Sequence, residues 1–234
     1  MKKDQTKTLA YMALYVALYV VLKYAGDLIP ILKMPNGGSI ELELVAVFIA
    51  SYHLGWQKGI AVSLLSWLMT ILLGSMPYYV HPIQIFLDYA GPLMACGAAS
   101  LLWPFRDLNA GGRNILSVLL AAGAFLGIYL SFPHEFLYII LAVLCAAVTF
   151  AFSYWYIKEK KEFGIVISML LKYLFTVLSG AYYWAGDAGA GSAAAWTFSI
   201  TYNLGYNLVT MIVCLVLVPV MIDRLRKMRV TFKY

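Results

Sequence analysis

The chain has 234 residues, of which 63% are hydrophobic and only 12% are charged, and its net charge is +6. Soluble domains carry about 25% charged residues, so this composition excludes an ordinary soluble protein and predicts an integral membrane protein. No polar stretch is long enough to form a separate soluble domain. The apolar run after the basic N-terminus is too long for the core of a cleaved signal peptide, so we do not expect cleavage there.

Apolar runs predict eight membrane-spanning helices, because a helix needs about 20 apolar residues to cross a bilayer. The predicted spans are 8–30, 40–56, 58–75, 83–104, 114–131, 135–157, 164–185 and 196–222. The fifth and sixth are alternatively one re-entrant or tilted pair. The predicted fold class is therefore all-α, a polytopic transmembrane helix bundle that forms one integral membrane domain over residues 1–234.

The positions of the basic residues predict how these helices are oriented. With the N-terminus in the cytoplasm, 14 of the 17 Lys and Arg residues fall in the cytoplasmic pieces 1–7, 57–58, 105–113, 158–163 and 223–234. This bias fits the positive-inside rule for an even number of spans with both termini cytoplasmic. Membrane topology therefore explains the net charge, and we do not expect nucleic-acid binding.

The predicted outer loops are poor in charge and rich in Gly, Pro and aromatic residues. They read DLIPILKMPNGGS, GSMPYYVHPIQ, SFPHE and WAGDAGAGSAAAW. Gly and Pro permit tight, irregular backbone, so these loops are suited to form a lid over a pocket that opens outward. The alternative is ordinary short connectors whose aromatic residues lie at the membrane interface.

Glu41, Glu43, Asp88 and Lys172 are charged residues that lie inside the predicted spans. An ionised side chain in the bilayer centre costs about 2.5–3.5 kcal/mol on insertion scales, so such residues usually face a protein interior or a wet cavity. Glu41 and Asp88 lie at comparable depth near the outer side and are predicted to line one chamber. Glu43 is two residues from Glu41, so we expect it on another helix face, pointing elsewhere.

Lys172 begins a polar stripe on an otherwise apolar helix. Thr176, Ser179 and Tyr183 follow it at helical spacing,. One alternative is that the hydroxyls hold neighbouring helices together. For the lysine itself, the alternatives are snorkelling to the cytoplasmic surface or a structural ion pair with Glu41 or Asp88.

Aromatic side chains cluster at the depth of these carboxylates. They are Tyr78, Tyr79, Tyr89, Tyr183, Trp184, Trp196, Phe198 and Tyr202, and Asn203 adds an amide. Carboxylates beside aromatic faces suit a cationic heteroaromatic ligand, because ring quadrupoles attract a cation by about 0.5–2 kcal/mol. The alternative is a belt of interfacial aromatics. The cysteines and histidines show no metal-ligand spacing, so we predict no metal, no cofactor and no catalytic residue.

The chain resembles the thiamine-specific S component of energy-coupling factor transporters, the YuaJ-type thiamine transporter family, in four motifs. These are MPNGGSIELELVAVF, HPIQIFLDY, LLKYLFTVLSGAYYW and FSITYN. The resemblance covers 8–104 and 164–222 and implies a six-helix core, to which 114–157 adds an inserted helical hairpin. It further implies a multi-pass protein of a prokaryotic plasma membrane that binds thiamine from outside. Its implied partners are a transmembrane coupling subunit and two ATPase subunits.

Matching positions imply a set of binding residues. For the substrate these are Glu41, Tyr78, Asp88, Tyr89, Lys172, Thr176, Trp184, Phe198 and Asn203. The family's Ala-x-x-x-Ala contact to the coupling subunit falls on Ala13 and Ala17, although chance spacing in an alanine-rich helix is an alternative. Three positions depart from the family pattern. Thr176 replaces a histidine, Phe198 replaces a tyrosine, and Gly37 stands where some members have tryptophan.

The leading hypothesis is a high-affinity subunit for uptake of thiamine or a close pyrimidine or thiazole precursor, energised by partner ATPases. Asp88 would accept hydrogen bonds from the aminopyrimidine, Trp184 would stack on the rings, and Glu41 would help neutralise the thiazolium. Other hypotheses are a solitary gradient-driven vitamin transporter and an S component for another small cationic heteroaromatic. An intramembrane enzyme using Asp88 and His81 and a structural scaffold also remain as alternatives.

Overall fold

The computed structural model describes residues 2–34, 38–75, 77–101, 109–131, 136–159, 163–228 and 230–232. Within these ranges the α-helices are α1 (Lys2–Asp27), α2 (Leu44–Leu54), α3 (Trp56–Leu72), α4 (Pro82–Ile85), α5 (Gly91–Gly97), α6 (Ala110–Ser131), α7 (Phe136–Glu159), α8 (Gly164–Tyr183) and α9 (Ala193–Lys227). A π-helical segment, Phe86–Ala90, joins α4 to α5. The prediction of an all-α membrane protein is confirmed.

Each predicted span contains helix, and the fourth includes α4, the π-helical segment and α5. Among the residues that the structure describes, three helices are long and apolar enough to cross a membrane by themselves, namely α1 over Asp4–Asp27, α8 and α9. Helix α9 has 35 residues and is therefore about 52 Å long, more than the roughly 30 Å of a bilayer core,. It extends past the predicted end at residue 222 to Lys227. The total of eight spans stays a prediction.

The chain divides into two compact units. One comprises Met1–Leu102 with Gly164–Tyr234, and the other is Trp103–Phe163. In the second unit α6 packs against α7 as a helical hairpin, and the predicted insertion at 114–157 falls inside it. The first unit contains the remaining helices. Within it α8 packs against α9 and α5, while α3 packs against α5, α2 and α1.

Helix α2 is the centre of the first unit, and all of its residues are buried. It packs against α1, α3, α5 and α9, which explains why its sequence is apolar around its whole circumference,. Its 11 residues extend only about 16 Å, so the predicted span 40–56 is helical only in part,. Residues 38–43 precede it in largely irregular backbone. At membrane depth such backbone is tolerated where protein buries it or where it lines a cavity.

Glycines set the closest helix contact in this unit. A Cβ on Gly97 of α5 would come within 2.7 Å of the Gly59 carbonyl oxygen of α3. Small residues therefore let these two backbones approach each other, as in other membrane helix pairs. The contact fixes α3 against the element that carries Asp88.

Candidate functional site

The first unit contains a cavity of about 870 Å³. Small-molecule sites commonly enclose roughly 300–1,000 Å³, so this volume suits a ligand of two small rings. Its walls come from α1, residues 33–34 and 38–43, α3, the segment before α4, the π-helical segment, α5, α8, Trp184 and α9. All nine residues predicted to bind substrate line it, namely Glu41, Tyr78, Asp88, Tyr89, Lys172, Thr176, Trp184, Phe198 and Asn203.

A local break in helix geometry positions Asp88 and Tyr89. A continuous α-helix would need the N–H of residue 92 to bond to the Asp88 carbonyl, but Pro92 has no N–H. The Gly91 N–H instead donates to the carbonyl of Phe86, five residues earlier, which defines the π-helical turn. Such turns occur frequently at functional sites. Here the turn carries Asp88 and Tyr89 on the cavity wall.

The Asp88 carboxylate is held by two neutral donors on one of its oxygens. Gln84 Nε2 donates to Asp88 Oδ2 at 3.1 Å, and Trp184 Nε1 donates to the same oxygen at 3.0 Å. Both donors therefore occupy the same oxygen of the carboxylate. We infer that Asp88 Oδ1 is the oxygen available to a ligand in the cavity.

Aromatic rings form the wall next to Asp88. The Tyr89 hydroxyl donates to the Tyr78 carbonyl at 3.2 Å and accepts from the Tyr78 N–H at 3.1 Å, so it fixes the segment before α4. The Tyr89 ring stacks on Trp67 with centroids 6.0 Å apart. Tyr78 in turn contacts Trp184 at 5.2 Å. These rings present a rigid aromatic surface to the cavity.

A buried ion pair lies in the wall formed by α8 and the segment before α2. Lys172 Nζ lies 3.0 Å from Glu41 Oε2 and donates to Asn207 Oδ1 at 2.8 Å. The ammonium also lies 5.5 Å from the centroid of the Tyr206 ring. Lys172 is only 2% exposed, so the structural ion-pair interpretation holds and the snorkelling alternative is wrong.

Amides and hydroxyls join α8 to α9 around this lysine. Ser199 Oγ of α9 donates to the Val177 carbonyl of α8 at 2.8 Å, and Asn207 Nδ2 of α9 donates to Thr176 Oγ1 of α8 at 3.4 Å. Within α9, Asn203 Nδ2 donates to the Ser199 carbonyl at 2.8 Å. The Tyr206 hydroxyl donates to Asn203 Oδ1. A Cβ on Gly180 would collide with Ser199 Oγ, so the glycine permits the close approach of the two helices. The network holds Asn203 in one orientation at the cavity.

Residues 9–230, nearly the whole chain, match the thiamine transporter protein family, Thia_YuaJ. The chain belongs to this thiamine transporter family. It is also similar to the thiamine transporter ThiT of Bacillus subtilis (strain 168), with 25% identity over 217 residues, which cover 91% of this chain and 88% of that relative. The predicted resemblance is confirmed. This member of the thiamine transporter family is a membrane transport protein and not an enzyme.

Two of the departures from the family pattern have structural explanations. Thr176 donates to the Tyr173 carbonyl at 3.0 Å and accepts from Asn207 Nδ2 at 3.4 Å, so its hydroxyl belongs to the α8–α9 network. Phe198 stacks on Tyr202 with centroids 5.4 Å apart and needs no hydroxyl for that contact. Gly37 lies outside the described residues.

One expectation about the charged residues is wrong, because Glu43 does not point away from the chamber. It lines the same cavity as Glu41. The expectation assumed helical spacing between the two residues, but both precede the first residue of α2, and the 100° rotation per residue does not apply there. Glu43 is therefore a further carboxylate at this cavity, besides Asp27, Glu41 and Asp88.

The protein compensates the burial of Glu43 only in part, through its own backbone N–H and the charge of Lys23. It is 5% exposed, and its side chain makes no capping hydrogen bond at the start of α2. The helix dipole offers a carboxylate about 0.3–1 kcal/mol, whereas burying an ion costs several kcal/mol. The ion pairs that the structure describes at this cavity, Lys172–Glu41 and Lys23–Asp27, do not include it.

His81 has a structural role. Its Nδ1 accepts a hydrogen bond from the Ile83 N–H at 3.2 Å and so caps α4, while its ring stacks on Tyr183 at 5.7 Å. The intramembrane-enzyme hypothesis paired His81 with Asp88. The capping contact and the transporter family both argue against it.

Sequence reasoning missed three polar groups of the site. Gln84 and Asn207 were unmarked, although Asn207 follows Asn203 by one helical turn on a buried face, which was a usable signal,. The pair Lys23–Asp27 on α1, joined at 2.9 Å, also lines the cavity and shows the same i, i+4 spacing.

Gln84 is predicted to support ligand binding through Asp88. It is fully buried, and its Oε1 also accepts from the Val80 N–H at 2.8 Å. Replacing it with methionine removes both bonds, so we expect unfolding to become easier by about 1–3 kcal/mol and thiamine affinity to fall several-fold. Thermal melting and a thiamine titration measure these effects. The exposed Gln57→Met is the matched control, and unchanged stability and affinity in Gln84→Met would contradict this role.

Proposed function

We propose that this protein captures thiamine for uptake into a prokaryotic cell, as the substrate-binding membrane subunit of an energy-coupling factor transporter. The convergence of nine predicted residues from separate helices on one cavity is the observation that carries the proposal. Membership in the thiamine transporter family supports the choice of ligand.

The aminopyrimidine ring of thiamine is proposed to bind at Asp88. Its exocyclic amine is a donor and Asp88 Oδ1 is an acceptor, while Gln84 and Trp184 occupy the other carboxylate oxygen. The rings of Tyr78 and Trp184 would stack on the ligand, and a cation beside an aromatic face gains about 0.5–2 kcal/mol. Tyr89 would hold Tyr78 in place through the two hydrogen bonds between them.

The remaining predicted contacts complete the enclosure. Asn203 and Thr176 offer polar groups from the α8–α9 network, and Phe198 closes the cavity with its ring. Glu41 and Lys172 would contribute a polar but electrically neutral surface, because they form an ion pair with each other.

A titration of the purified protein with thiamine tests this proposal, with tryptophan fluorescence as the signal. Trp67 and Trp184 line the cavity, so a bound thiazolium is expected to quench their emission. We expect saturable quenching at submicromolar thiamine. A linear, unsaturable response up to millimolar concentration would contradict thiamine capture.

The proposed orientation places both termini in the cytoplasm of a plasma-membrane protein. The basic residues Arg224, Arg226 and Lys227 in the last turn of α9 fit this orientation,. The proposed partners are a transmembrane coupling subunit and two ATPase subunits, since the described residues show no ATPase motif.

Helix α1 is the proposed contact for the coupling subunit. Ala13 and Ala17 are exposed on it, and the neighbouring Leu14 is 61% exposed. Small residues permit close helix approach, so a leucine at either position would separate the two helices.

We expect Ala13→Leu and Ala17→Leu to abolish thiamine uptake and co-purification with the coupling subunit, because the added bulk lies at the proposed contact. Thiamine affinity of the isolated subunit should change less than twofold, since neither alanine lines the cavity. Leu119→Ala on α6 is a control change at an exposed apolar position. Normal uptake by both variants, or uptake in cells without the ATPases, would contradict the proposed coupling.

A further inference from the structure

The charged groups at the cavity do not balance one another. Its lining contains the carboxylates of Asp27, Glu41, Glu43 and Asp88 and the ammonium groups of Lys23, Lys33 and Lys172. Glu41 is committed to Lys172 at 3.0 Å, and Asp27 is committed to Lys23 at 2.9 Å. Lys33 lies on the exposed loop before the cavity. Within the described residues, Glu43 and Asp88 are therefore the carboxylates left to act on a ligand.

These two carboxylates differ in what surrounds them. Asp88 is held by two N–H donors and suits a ligand that brings hydrogen-bond donors. Glu43 is 5% exposed and is approached by its own backbone N–H. Lys23 lies within its electrostatic range but gives its hydrogen bond to Asp27. A buried carboxylate loses its charge by taking up a proton unless a cation pairs with it, so a cationic ligand would stabilise its ionised form.

We propose that Glu43, and not Glu41, supplies the counter-charge for the permanently cationic ring of the substrate. This inference rests on the proposed function and names the residue that makes the site selective for a cation. Glu43 then sets the preference for a thiazolium over a neutral ring of the same shape, while Asp88 recognises the aminopyrimidine. The Lys172–Glu41 pair keeps its net charge of zero whether or not the ligand is present.

The test compares two ligands of nearly the same shape. One is thiamine, and the other is its neutral thiophene analogue, in which carbon replaces the charged ring nitrogen. Wild-type protein should bind thiamine at least tenfold more tightly than the analogue. In Glu43→Gln the thiamine Kd should rise about tenfold or more while the analogue's Kd changes less than twofold, so that the preference disappears. Asp223→Asn, which removes an exposed carboxylate at the end of α9, should leave both Kd values unchanged.

Stability of the ligand-free protein gives a second readout. Because the ion pairs described at the cavity do not include Glu43, Glu43→Gln should melt at the same temperature as wild type or higher. Loss of folding in this variant would overturn the inference, since it would give Glu43 a structural role. Equal weakening of both ligands, or an unchanged thiamine Kd, would also overturn it. If wild-type protein binds neither ligand, the proposed function itself fails.

Discussion

Lys172→Met should lower the free energy of unfolding by about 3–5 kcal/mol, because removing one partner of a buried ion pair leaves the other charge uncompensated. Lys172 is 2% exposed and bonds to both Glu41 and Asn207. The methionine would fill most of the volume but would leave Glu41 Oε2 beside an apolar chain. We therefore expect this substitution to be more damaging than any other at the cavity.

The double variant Lys172→Met with Glu41→Gln tests whether Lys172 stabilises the protein through its ion pair with Glu41 or through another contact. Replacing a buried ion pair as a unit is often neutral, so the double variant should recover most of the lost stability. Thermal unfolding in detergent measures this stability. The signal is the reaction of a fluorogenic maleimide with the buried thiols of Cys96 and Cys214, which become accessible as the protein unfolds. The control is Lys227→Met, an exposed lysine near the end of α9. If the double variant is as unstable as Lys172→Met, the two side chains do not act as one pair.

Asp88→Asn should weaken thiamine binding by about 10- to 150-fold, with little loss of stability. A hydrogen bond to a charged group contributes roughly 1.5–3 kcal/mol, which corresponds to that range of Kd. The asparagine oxygen can still accept from Gln84 and Trp184, so the supporting contacts survive. What disappears is the second charged oxygen that would accept from the aminopyrimidine.

Calorimetric titration with thiamine measures the Asp88→Asn effect directly. Asp187→Asn is the matched control, since Asp187 is an exposed carboxylate that does not line the cavity. Binding by Asp88→Asn within threefold of wild type would exclude Asp88 as the aminopyrimidine acceptor.

Much of the fold could be predicted because a membrane-spanning helix requires a run of about 20 mostly apolar residues, which is visible in the sequence. Apolar runs located the helical regions, although α1 begins at Lys2 rather than residue 8 and α5 ends at Gly97 rather than residue 104. Buried charges marked the cavity from Glu41, Asp88 and Lys172. The family motifs added Tyr78, Trp184 and Asn203, which are not distinguishable from interfacial residues by hydropathy. The sequence indicated candidate site residues, since charged side chains are costly within membrane-spanning segments.

What the sequence did not predict depends on backbone geometry. Glu43 was misplaced because residues before Leu44 are not helical, so spacing along the chain did not give its direction. The π-helical turn follows from Pro92, but the register that aims Asp88 depends on packing against neighbouring helices. The role of Gln84 was not predicted because it depends on its hydrogen-bond partners, Asp88 and the Val80 N–H, which only the structure shows.

A crystal or cryo-electron microscopy structure of the protein with thiamine bound tests the central claim most directly. The account predicts ligand density inside the cavity, with the aminopyrimidine amine about 3 Å from Asp88 Oδ1 and a ring face against Trp184. Density for thiamine elsewhere on the protein, with this cavity filled only by solvent, would contradict it.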